Sequence, residues 1–332
     1  MSGRPTPPLV CRPLPVERPW GGSAAAALAD LPAVPGARIG EWWLLSTRAD
    51  QATLVANAPF AGRPLAEVVA SDPERILGAR FARADRFPLL LKILDTAEPL
   101  SVQVHPSAPA SARADGGARS ECKTETWYLL DAAPGATYWV GLADGVTVAG
   151  FFAAVQRGDD PLPLLAMRTA QRGAVVHLHP GVIHALGGGI VALEVQTNAD
   201  TTYRIHDFGR KPERALQLDL AQAAAAADQR AELPEPQPLS PASPARELLV
   251  RCSEYRIERL RLTAPSQFAV DRDRFEVLVP LGAAMRVAGE HGVADVPRGH
   301  AVLVPAHTAE FMISPAAPLE LLRVIPSGEG VP

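Results

Sequence analysis

The chain has 332 residues, of which 47% are apolar and 20% charged, with a formal net charge of −4. A chain of this length is too long to fold around one small hydrophobic core, so about two domains are predicted. Because no basic stripe stands out, nucleic acid is not expected as a partner. No apolar run approaches the roughly 18 residues that would span a membrane, so no membrane association is expected either.

Turn-forming residues indicate the fold class, and the cysteines indicate the cellular compartment. The 33 prolines and 26 glycines predict many turns between short elements, as in an all-β protein. Three scattered cysteines argue against a disulfide framework and for a reducing compartment, so we expect a cytoplasmic protein; they are Cys11, Cys122 and Cys252.

The first 230 residues alternate between short strands and short helices. The Pro/Ala-rich segment before about Ile39 is predicted to be irregular. Short helices are predicted at about 64–86, where Asp72 would cap a second helix that has Pro73 in its first turn, and further helices at about 147–170. Further strand and helix patterns follow the chain in this order: strands at 39–46, 87–95, 100–106, 124–131, 136–143, 174–181, 182–197 and 201–208, and a helix at 212–230.

A proline-rich segment then separates a second set of strands. Residues 231–246 carry five prolines and are predicted to be a linker. The strands of 247–332 recur at short intervals, which is typical of a small sandwich or barrel. A glycine followed a few residues later by a proline occurs around Gly173–Pro180 and Gly299–Pro305, which suggests two related β-barrels.

The stretch "LSVQVHPS" places two polar side chains on one face of a predicted strand. Gln103 and His105 lie two residues apart and point to the same side, opposite the neighbouring valines. Burial of two polar groups costs a few kcal/mol unless each has a partner. The companions that later strands offer are Glu125, His177, His179 and His184. Such a set suits a divalent first-row metal, zinc most easily, and the residues alone leave open which histidines take part.

A second polar stretch runs from His184 to Arg210. Glu194 and Gln196 again share one face of a predicted strand, and Asp200, Arg204 and Asp207 follow. Glu194 and Arg204 fit either a structural salt bridge or a base with an anion-stabilising cation. A lone histidine in a β-protein is usually a hydrogen-bonded core or surface residue, and this applies to His177, His179, His206, His291, His300 and His307.

The chain resembles the type I phosphomannose isomerases, which have a cupin fold, over about residues 15–230. The matching pieces occur in the family's order: "RPWGG", "GEWWLLS", "PLLLKILDTAEPLSVQVHP", "KTETWYLL", "GVIHALGGGIVALEVQTNADTTYRIHDFGR" and "LQLDL". The resemblance implies a mainly β fold of two cupin-like (jelly-roll) barrels with a few inserted short helices. It implies a catalytic domain at 1–230 and a smaller structural barrel at 247–332, where no second set of metal ligands is seen.

The resemblance also implies an activity, the interconversion of mannose 6-phosphate and fructose 6-phosphate through an enediol, and roles for individual residues. One zinc ion per chain would be held by Gln103, His105, Glu125 and His184, which favours His184 over His177 and His179. Arg204 would be catalytic, and Glu194 would transfer the proton with Lys123 as the rival base. The sugar phosphate would contact Lys92 and Ser101, besides Lys123, and its phosphate would need cations such as Arg210 or Lys211.

Two other functions stay open at this point. The first is a cupin that binds a sugar or sugar phosphate without turning it over. The second is an iron oxygenase that uses His177, His179 and His184. The chain departs from the family where Leu44 replaces a frequent acidic residue, which weakens a substrate role for that strand. The sequence predicts either a monomer or a homodimer.

Overall fold

The computed structural model describes residues 6–106, 122–211, 217–228 and 245–328, and within these ranges the protein is mainly β. The strands of the first part are β1 (Leu9–Arg12), β2 (Leu14–Gly22), β3 (Ile39–Leu45), β4 (Leu54–Val55), β5 (Leu89–Thr96), β6 (Val102–Val104), β7 (Glu125–Ala132), β8 (Thr137–Leu142), β9 (Leu165–Thr169), β10 (Val175–Leu178), β11 (His184–Leu186), β12 (Ile190–Thr197) and β13 (Tyr203–His206). Those of the second part are β14 (Arg246–Arg251), β15 (Tyr255–Leu262), β16 (Ser266–Ala269), β17 (Glu276–Pro280), β18 (Met285–Gly289), β19 (Gly292–Val296), β20 (Val302–Val304), β21 (Glu310–Pro315) and β22 (Leu319–Pro326).

The helices in the described ranges are short. They are α1 (Ala25–Leu28), α2 (Leu65–Ser71), α3 (Pro73–Leu77), α4 (Val148–Arg157) and α5 (Leu220–Ala226), with a 3₁₀ turn at Leu162–Leu164. The predicted start of α3 is confirmed, because the Asp72 carboxylate accepts a hydrogen bond from the Arg75 amide and Pro73 occupies the first turn. None of these helices has the length and apolar composition needed to cross a bilayer.

Two predictions of local structure were wrong. The segment before Ile39 contains β1, which pairs with the distant strand β20, and β2, which pairs with the next strand, β3. The predicted helix at 147–170 ends at Arg157, because Gly158 adopts a left-handed conformation and prolines follow at 161 and 163. Residues 165–169 form β9 instead, which pairs with β8.

Two antiparallel sheets of the first part pack face to face and enclose the region where the polar motifs lie. The six-stranded sheet has the order β10-β7-β12-β5-β2-β3, and the five-stranded sheet has the order β13-β6-β11-β8-β9. Between them lies a buried core to which the first sheet contributes Trp127 and Leu129 and the second contributes Tyr138, Val140 and Leu186.

The second part forms a seven-stranded sheet, β14-β15-β22-β17-β20-β1-β4, and a four-stranded sheet, β16-β21-β18-β19. The seven-stranded sheet includes β1 and β4 from the beginning of the chain, so the two halves share backbone hydrogen bonds. The division at 1–230 and 247–332 and the cupin-type barrels stay predictions. The predicted linker at 231–246 lies outside the described residues except for 245 and 246. The predicted helix at 212–230 is confirmed in part, because its described residues, 217–228, contain α5 (Leu220–Ala226).

Candidate active site

Strands β6, β11 and β13 bring three predicted site residues side by side. Gln103 on β6 is directly opposite His184 on β11 and opposite Arg204 on β13. Residues directly opposite in an antiparallel pair point to the same face, so these three side chains share one face of the five-stranded sheet. His105 follows Gln103 by two residues and continues the same face. The sequence prediction for Gln103 and His105 as neighbours on one face is therefore confirmed.

The facing sheet supplies the carboxylates. Glu194 on β12 is opposite Lys92 on β5 and opposite Trp127 on β7. Glu125 on β7 is opposite Gln196, two residues further along β12. Because side chains alternate between the two faces along a strand, Glu125 and Glu194 point to the same side of their sheet, toward the histidines.

Three of the four predicted metal ligands converge around one point. The imidazole Nε2 of His105 lies 3.2 Å from Glu125 Oε2, and Nε2 of His184 lies 3.3 Å from Glu125 Oε1. The ligand atoms of these three residues all lie within 4.8 Å of one another, and the side chains are buried. The Gln103 amide is adjacent, with its nitrogen 3.2 Å from His184 Nε2. A half-turn of that amide would present its oxygen to the same point.

The hydrogen bonds of the two histidines show which ring nitrogen carries the proton. Nδ1 of His105 is 3.1 Å from the carbonyl oxygen of Thr201, and Nδ1 of His184 is 2.9 Å from that of Val182. Since a carbonyl only accepts, each Nδ1 carries the proton, and in the neutral ring each Nε2 presents a lone pair. Those lone pairs face the carboxylate of Glu125, and His105 Nε2 and Glu125 Oε1 are buried with no hydrogen-bond partner in the described part of the chain. Acceptor atoms facing one another in a buried space fit a bound cation.

The protonation states of His105 and Glu125 are those that metal ligation requires. Burial, followed by the charge of Lys123, lowers the pKa of His105 to about 3, so its imidazole is neutral. Burial alone would raise the pKa of Glu125, but Lys123 and then His105 outweigh it and hold that pKa well below the ordinary range. Neutral imidazoles and an ionised carboxylate are the forms that bind a metal.

Lys123 is buried beside the cluster as the counter-charge of Glu125. Its Nζ lies 2.7 Å from Glu125 Oε2. Burial alone would lower the pKa of Lys123, but Glu125 and Glu194 outweigh it and raise that pKa. The ammonium is therefore kept protonated.

Glu194 lies in a second charged cluster next to the first. Its Oε1 accepts a hydrogen bond from Trp127 Nε1 at 3.3 Å, and its Oε2 lies 3.7 Å from Lys92 Nζ. The buried Lys92 ammonium also lies 3.7 Å from Glu41 and 3.5 Å from Asp200. Burial raises the pKa of Glu194 to about 7, since the charges of Glu125 and Glu41 offset much of the lowering by the two lysines.

Sequence reasoning missed the part that Glu41 and Trp43 play in this cluster. The Glu41 carboxylate accepts hydrogen bonds from Trp43 Nε1 at 2.8 Å and from the Arg18 guanidinium at 3.0 Å. The Lys92 ammonium lies 4.6 Å from the centre of a Trp43 ring. A usable signal was present, because Glu41 and Trp43 are two residues apart in "IGEWWLLS" and so share a face of β3.

The remaining predicted site residues surround these clusters. Ser101 Oγ lies 3.4 Å from Gln103 Oε1 and is buried. The Arg210 guanidinium is engaged by the Asp207 carboxylate and the Pro99 carbonyl, whereas Lys211 is exposed. The backbone amide of Arg204 donates to Asp219 Oδ2 at 3.3 Å, which fixes the end of β13.

Part of the chain matches a known protein family. Residues 15–127 match the family model described as "Phosphomannose isomerase type I, catalytic domain". Over this segment the chain is similar to the catalytic domain of type I phosphomannose isomerases. The segment contains Gln103, His105 and Glu125, three of the four ligands that the family resemblance implied.

Two curated relatives extend the similarity beyond that segment. Mannose-6-phosphate isomerase ManA of Bacillus subtilis is 36% identical over 206 residues, and the mannose-6-phosphate isomerase of Streptococcus mutans is 34% identical over 190 residues. The first alignment covers 62% of this chain and 62% of ManA, and the second covers 56% and 58%, so each spans less than two thirds of the relative's length.

A solved structure shows that the fold is similar over the whole described chain. The crystal structure of mannose 6-phosphate isomerase from B. subtilis superimposes with a TM-score of 0.83 and covers 96% of this chain and 99% of that chain. A protein from Archaeoglobus fulgidus, described as a putative mannosephosphate isomerase, gives a TM-score of 0.75. At 24% and 21% sequence identity these two structures establish the fold alone.

The histidines outside the phosphomannose isomerase motifs lie elsewhere. His177 is opposite Thr126 across β10 and β7, and its Nδ1 is 2.8 Å from Thr126 Oγ1, on the face of β7 that points away from Glu125. His179 contacts the His177 ring. Within the described ranges, His105, Glu125 and His184 are the one group of three or more such residues placed to hold a metal, which gives no support to the iron site of His177, His179 and His184.

Proposed function

We propose that this chain is a zinc-dependent mannose-6-phosphate isomerase, which interconverts mannose 6-phosphate and fructose 6-phosphate. The observation that carries the proposal is the buried cluster of Glu125 and two imidazole lone pairs, which lies on strands matching the family motifs. The two curated relatives are named as mannose-6-phosphate isomerases. A purely sugar-binding role is not favoured, because the charged groups that proton transfer needs stand beside the metal ligands.

The donor set supports zinc as the ion. Two imidazole nitrogens, one carboxylate and the neutral amide oxygen of Gln103 are ligands that Zn²⁺ accepts, and a single carboxylate leaves the occupied site with a net positive charge. We propose one zinc ion per chain. When bound, the ion would act as a Lewis acid toward the sugar oxygens.

Glu194 is the proposed base that moves the proton between C1 and C2. Its raised pKa lets it accept a proton near neutral pH and return it to the adjacent carbon. Lys123, the rival, is held protonated by Glu125 and so lacks the free electron pair of a base. We assign Lys123 to orienting Glu125 and to contacting a sugar hydroxyl.

Arg204 is the proposed stabiliser of the enediolate oxygen, since it shares the face of Gln103 and His184. A cation in such a place is worth about 2.7–4 kcal/mol in the transition state, by analogy with oxyanion-hole donors. Lys92 and Ser101 would bind sugar hydroxyls. The phosphate would be held by Lys211 or Arg210, and the exposure of Lys211 suits this role better than the engaged guanidinium of Arg210.

The deciding experiment is a coupled assay of purified protein with mannose 6-phosphate, before chelation, after chelation and after return of Zn²⁺. Activity that disappears with the chelator and returns with Zn²⁺, but not with Mg²⁺, is the expected result. A folded, zinc-loaded protein without turnover would refute the proposed activity, and a screen of sugars for binding would follow. The cytoplasmic location and the monomeric or homodimeric state are part of the same proposal and call for fractionation and sedimentation.

A further inference from the structure

Tyr255, on strand β15 of the second part, reaches the two strands that carry the carboxylates of the site. Its side chain is fully buried. The hydroxyl donates a hydrogen bond to the carbonyl oxygen of Val195 at 3.1 Å, and it lies 3.0 Å from Thr126 Oγ1. One side chain from the second part thereby ties β12 to β7.

The direction of each hydrogen bond follows from the protons available. The Tyr255 hydroxyl has one proton, which goes to the Val195 carbonyl, so the hydroxyl must accept from Thr126 Oγ1. The Thr126 hydroxyl has then given its proton away and accepts from His177 Nδ1, at 2.8 Å. The result is a chain of hydrogen bonds, each donating to the next group, from His177 through Thr126 and Tyr255 to the backbone of β12.

This chain of hydrogen bonds lies directly behind the site. Thr126 is opposite Val195 across β7 and β12. Thr126 follows Glu125, and Val195 follows Glu194, so each residue that Tyr255 contacts is the immediate neighbour of a site carboxylate. Because side chains alternate along a strand, Glu125 and Glu194 project into the site while Tyr255 holds the opposite face.

We infer that Tyr255 is a positioning residue, through which the second part of the chain sets the placement of Glu125 and Glu194. This inference rests on the proposed function, in which Glu125 binds zinc and Glu194 transfers the proton. A shift of about 1 Å in a catalytic group costs about 100-fold in rate, and loss of a residue that orients a metal ligand costs about 10- to 100-fold in affinity or activity. The second part then does more than the structural role predicted for residues 247–332.

The test compares Tyr255→Phe with Tyr128→Phe, which is a matched control. Tyr128 is also a buried tyrosine at the contact between the two parts, but its hydroxyl donates to Glu320 Oε1 at 2.7 Å and contacts neither Thr126 nor Val195. Each substitution removes one hydroxyl and keeps the ring. For each protein we would measure the thermal midpoint, the dissociation constant for Zn²⁺ against a chromophoric chelator, and kcat and KM.

We expect Tyr255→Phe to weaken Zn²⁺ binding about tenfold and to lower kcat about tenfold with KM within about twofold, as loss of an orienting residue does. Tyr128→Phe should change the thermal midpoint by a similar amount but leave Zn²⁺ affinity and kcat near those of the unaltered protein. Thr126→Val breaks the same chain of hydrogen bonds and should cause the same losses of Zn²⁺ affinity and kcat. It therefore supplies the test if Tyr255→Phe does not fold.

Three results would count against parts of this account. Equal Zn²⁺ affinity and kcat in the two tyrosine variants would overturn the positioning role of Tyr255. An unaltered protein that binds Zn²⁺ but does not isomerise mannose 6-phosphate would refute the proposed function, and the Zn²⁺ affinities would still decide for or against Tyr255 as the residue that orients Glu125. Absence of Zn²⁺ binding in the unaltered protein would overturn both.

Discussion

Replacing Glu125 by glutamine should abolish the stabilisation of this protein by zinc. In the unaltered chain the carboxylate faces Nε2 of His105 and of His184 at 3.2 and 3.3 Å, so a bound cation relieves the contact between acceptor atoms. The amide of glutamine keeps one oxygen but carries no charge, and its nitrogen cannot serve as a ligand. The Coulomb attraction between the carboxylate and the ion is lost, together with one of the two side-chain oxygens.

The expected size of the effect follows from mass action. Free Zn²⁺ at about 100 times its dissociation constant stabilises the folded state by about 2.7 kcal/mol. Each kcal/mol changes the melting temperature of a domain of about 150–250 residues by about 2–4 °C, so chelation should lower it by about 5–11 °C in the unaltered protein. In Glu125→Gln the difference between chelator and zinc should be close to zero.

The substitution also removes the counter-charge of Lys123, whose ammonium is buried 2.7 Å from Glu125. Breaking a buried ion pair by removing one partner costs about 3–5 kcal/mol. The melting temperature of metal-free Glu125→Gln should therefore fall. The double variant Glu125→Gln/Lys123→Met, which removes both charges, should recover much of that loss and still show no response to zinc.

Differential scanning calorimetry with chelator and with zinc would measure these shifts within each variant. His179→Gln is the control, because His179 lies with His177 away from the cluster, and it should keep the full zinc shift. A zinc shift of undiminished size in Glu125→Gln would refute Glu125 as a ligand. A lack of any shift in the unaltered protein would refute the site as a whole.

Three kinetic predictions follow for the other site residues. Arg204→Ala should lower kcat/KM by about 10²- to 10³-fold, as loss of an oxyanion donor does, while calorimetry shows the unaltered zinc shift; a change under threefold would remove Arg204 from the mechanism. If Glu194 must be ionised to accept the proton, kcat/KM should fall about tenfold per pH unit on the acid side, with a midpoint raised from the ordinary carboxyl range toward about 7. Glu194→Gln should be inactive yet bind zinc, and retained activity would exclude Glu194 as the base. Lys92→Met removes a cation that lowers the pKa of Glu194, so the acid limb should move to higher pH and KM should rise; an unmoved limb in a pH–rate profile would show that Lys92 does not act on Glu194.

The metal cluster was only partly predictable from local sequence, and the reason is strand register. The alternation of side chains along a strand was enough to predict that Gln103 and His105 share one face. It could not choose between His177 and His184, because that choice depends on which residues the two strands face. Register places His184 opposite Gln103 and His177 opposite Thr126, one residue from Glu125 and therefore on the other side of β7. The family resemblance made the choice where local physics left it open.

The two wrong predictions have different causes. β1 was not predicted because its segment is rich in proline, yet Leu9 and Val10 pair with β20, nearly 300 residues away in the chain. β9 was taken as helix although its residues lie beyond two prolines, where β8 offers an open edge. At β1 a partner distant in sequence overrides local propensity, whereas at β9 the two prolines were a local signal against a helix that the prediction did not use.

The two buried carboxylates of the site have opposite acidities, and their surroundings explain why. Glu125 has an ammonium at 2.7 Å, and its pKa is held well below the ordinary range. Glu194 is equally buried, but its cation Lys92 lies 3.7 Å away and is shared with Glu41 and Asp200, so burial prevails and the pKa rises to about 7. A strongly acidic carboxylate suits a metal ligand, because it stays ionised, and a weakly acidic one suits a base that must also release its proton. The roles of Glu125 and Glu194 should therefore not be interchangeable, since the ammonium 2.7 Å from Glu125 is closer than the one 3.7 Å from Glu194.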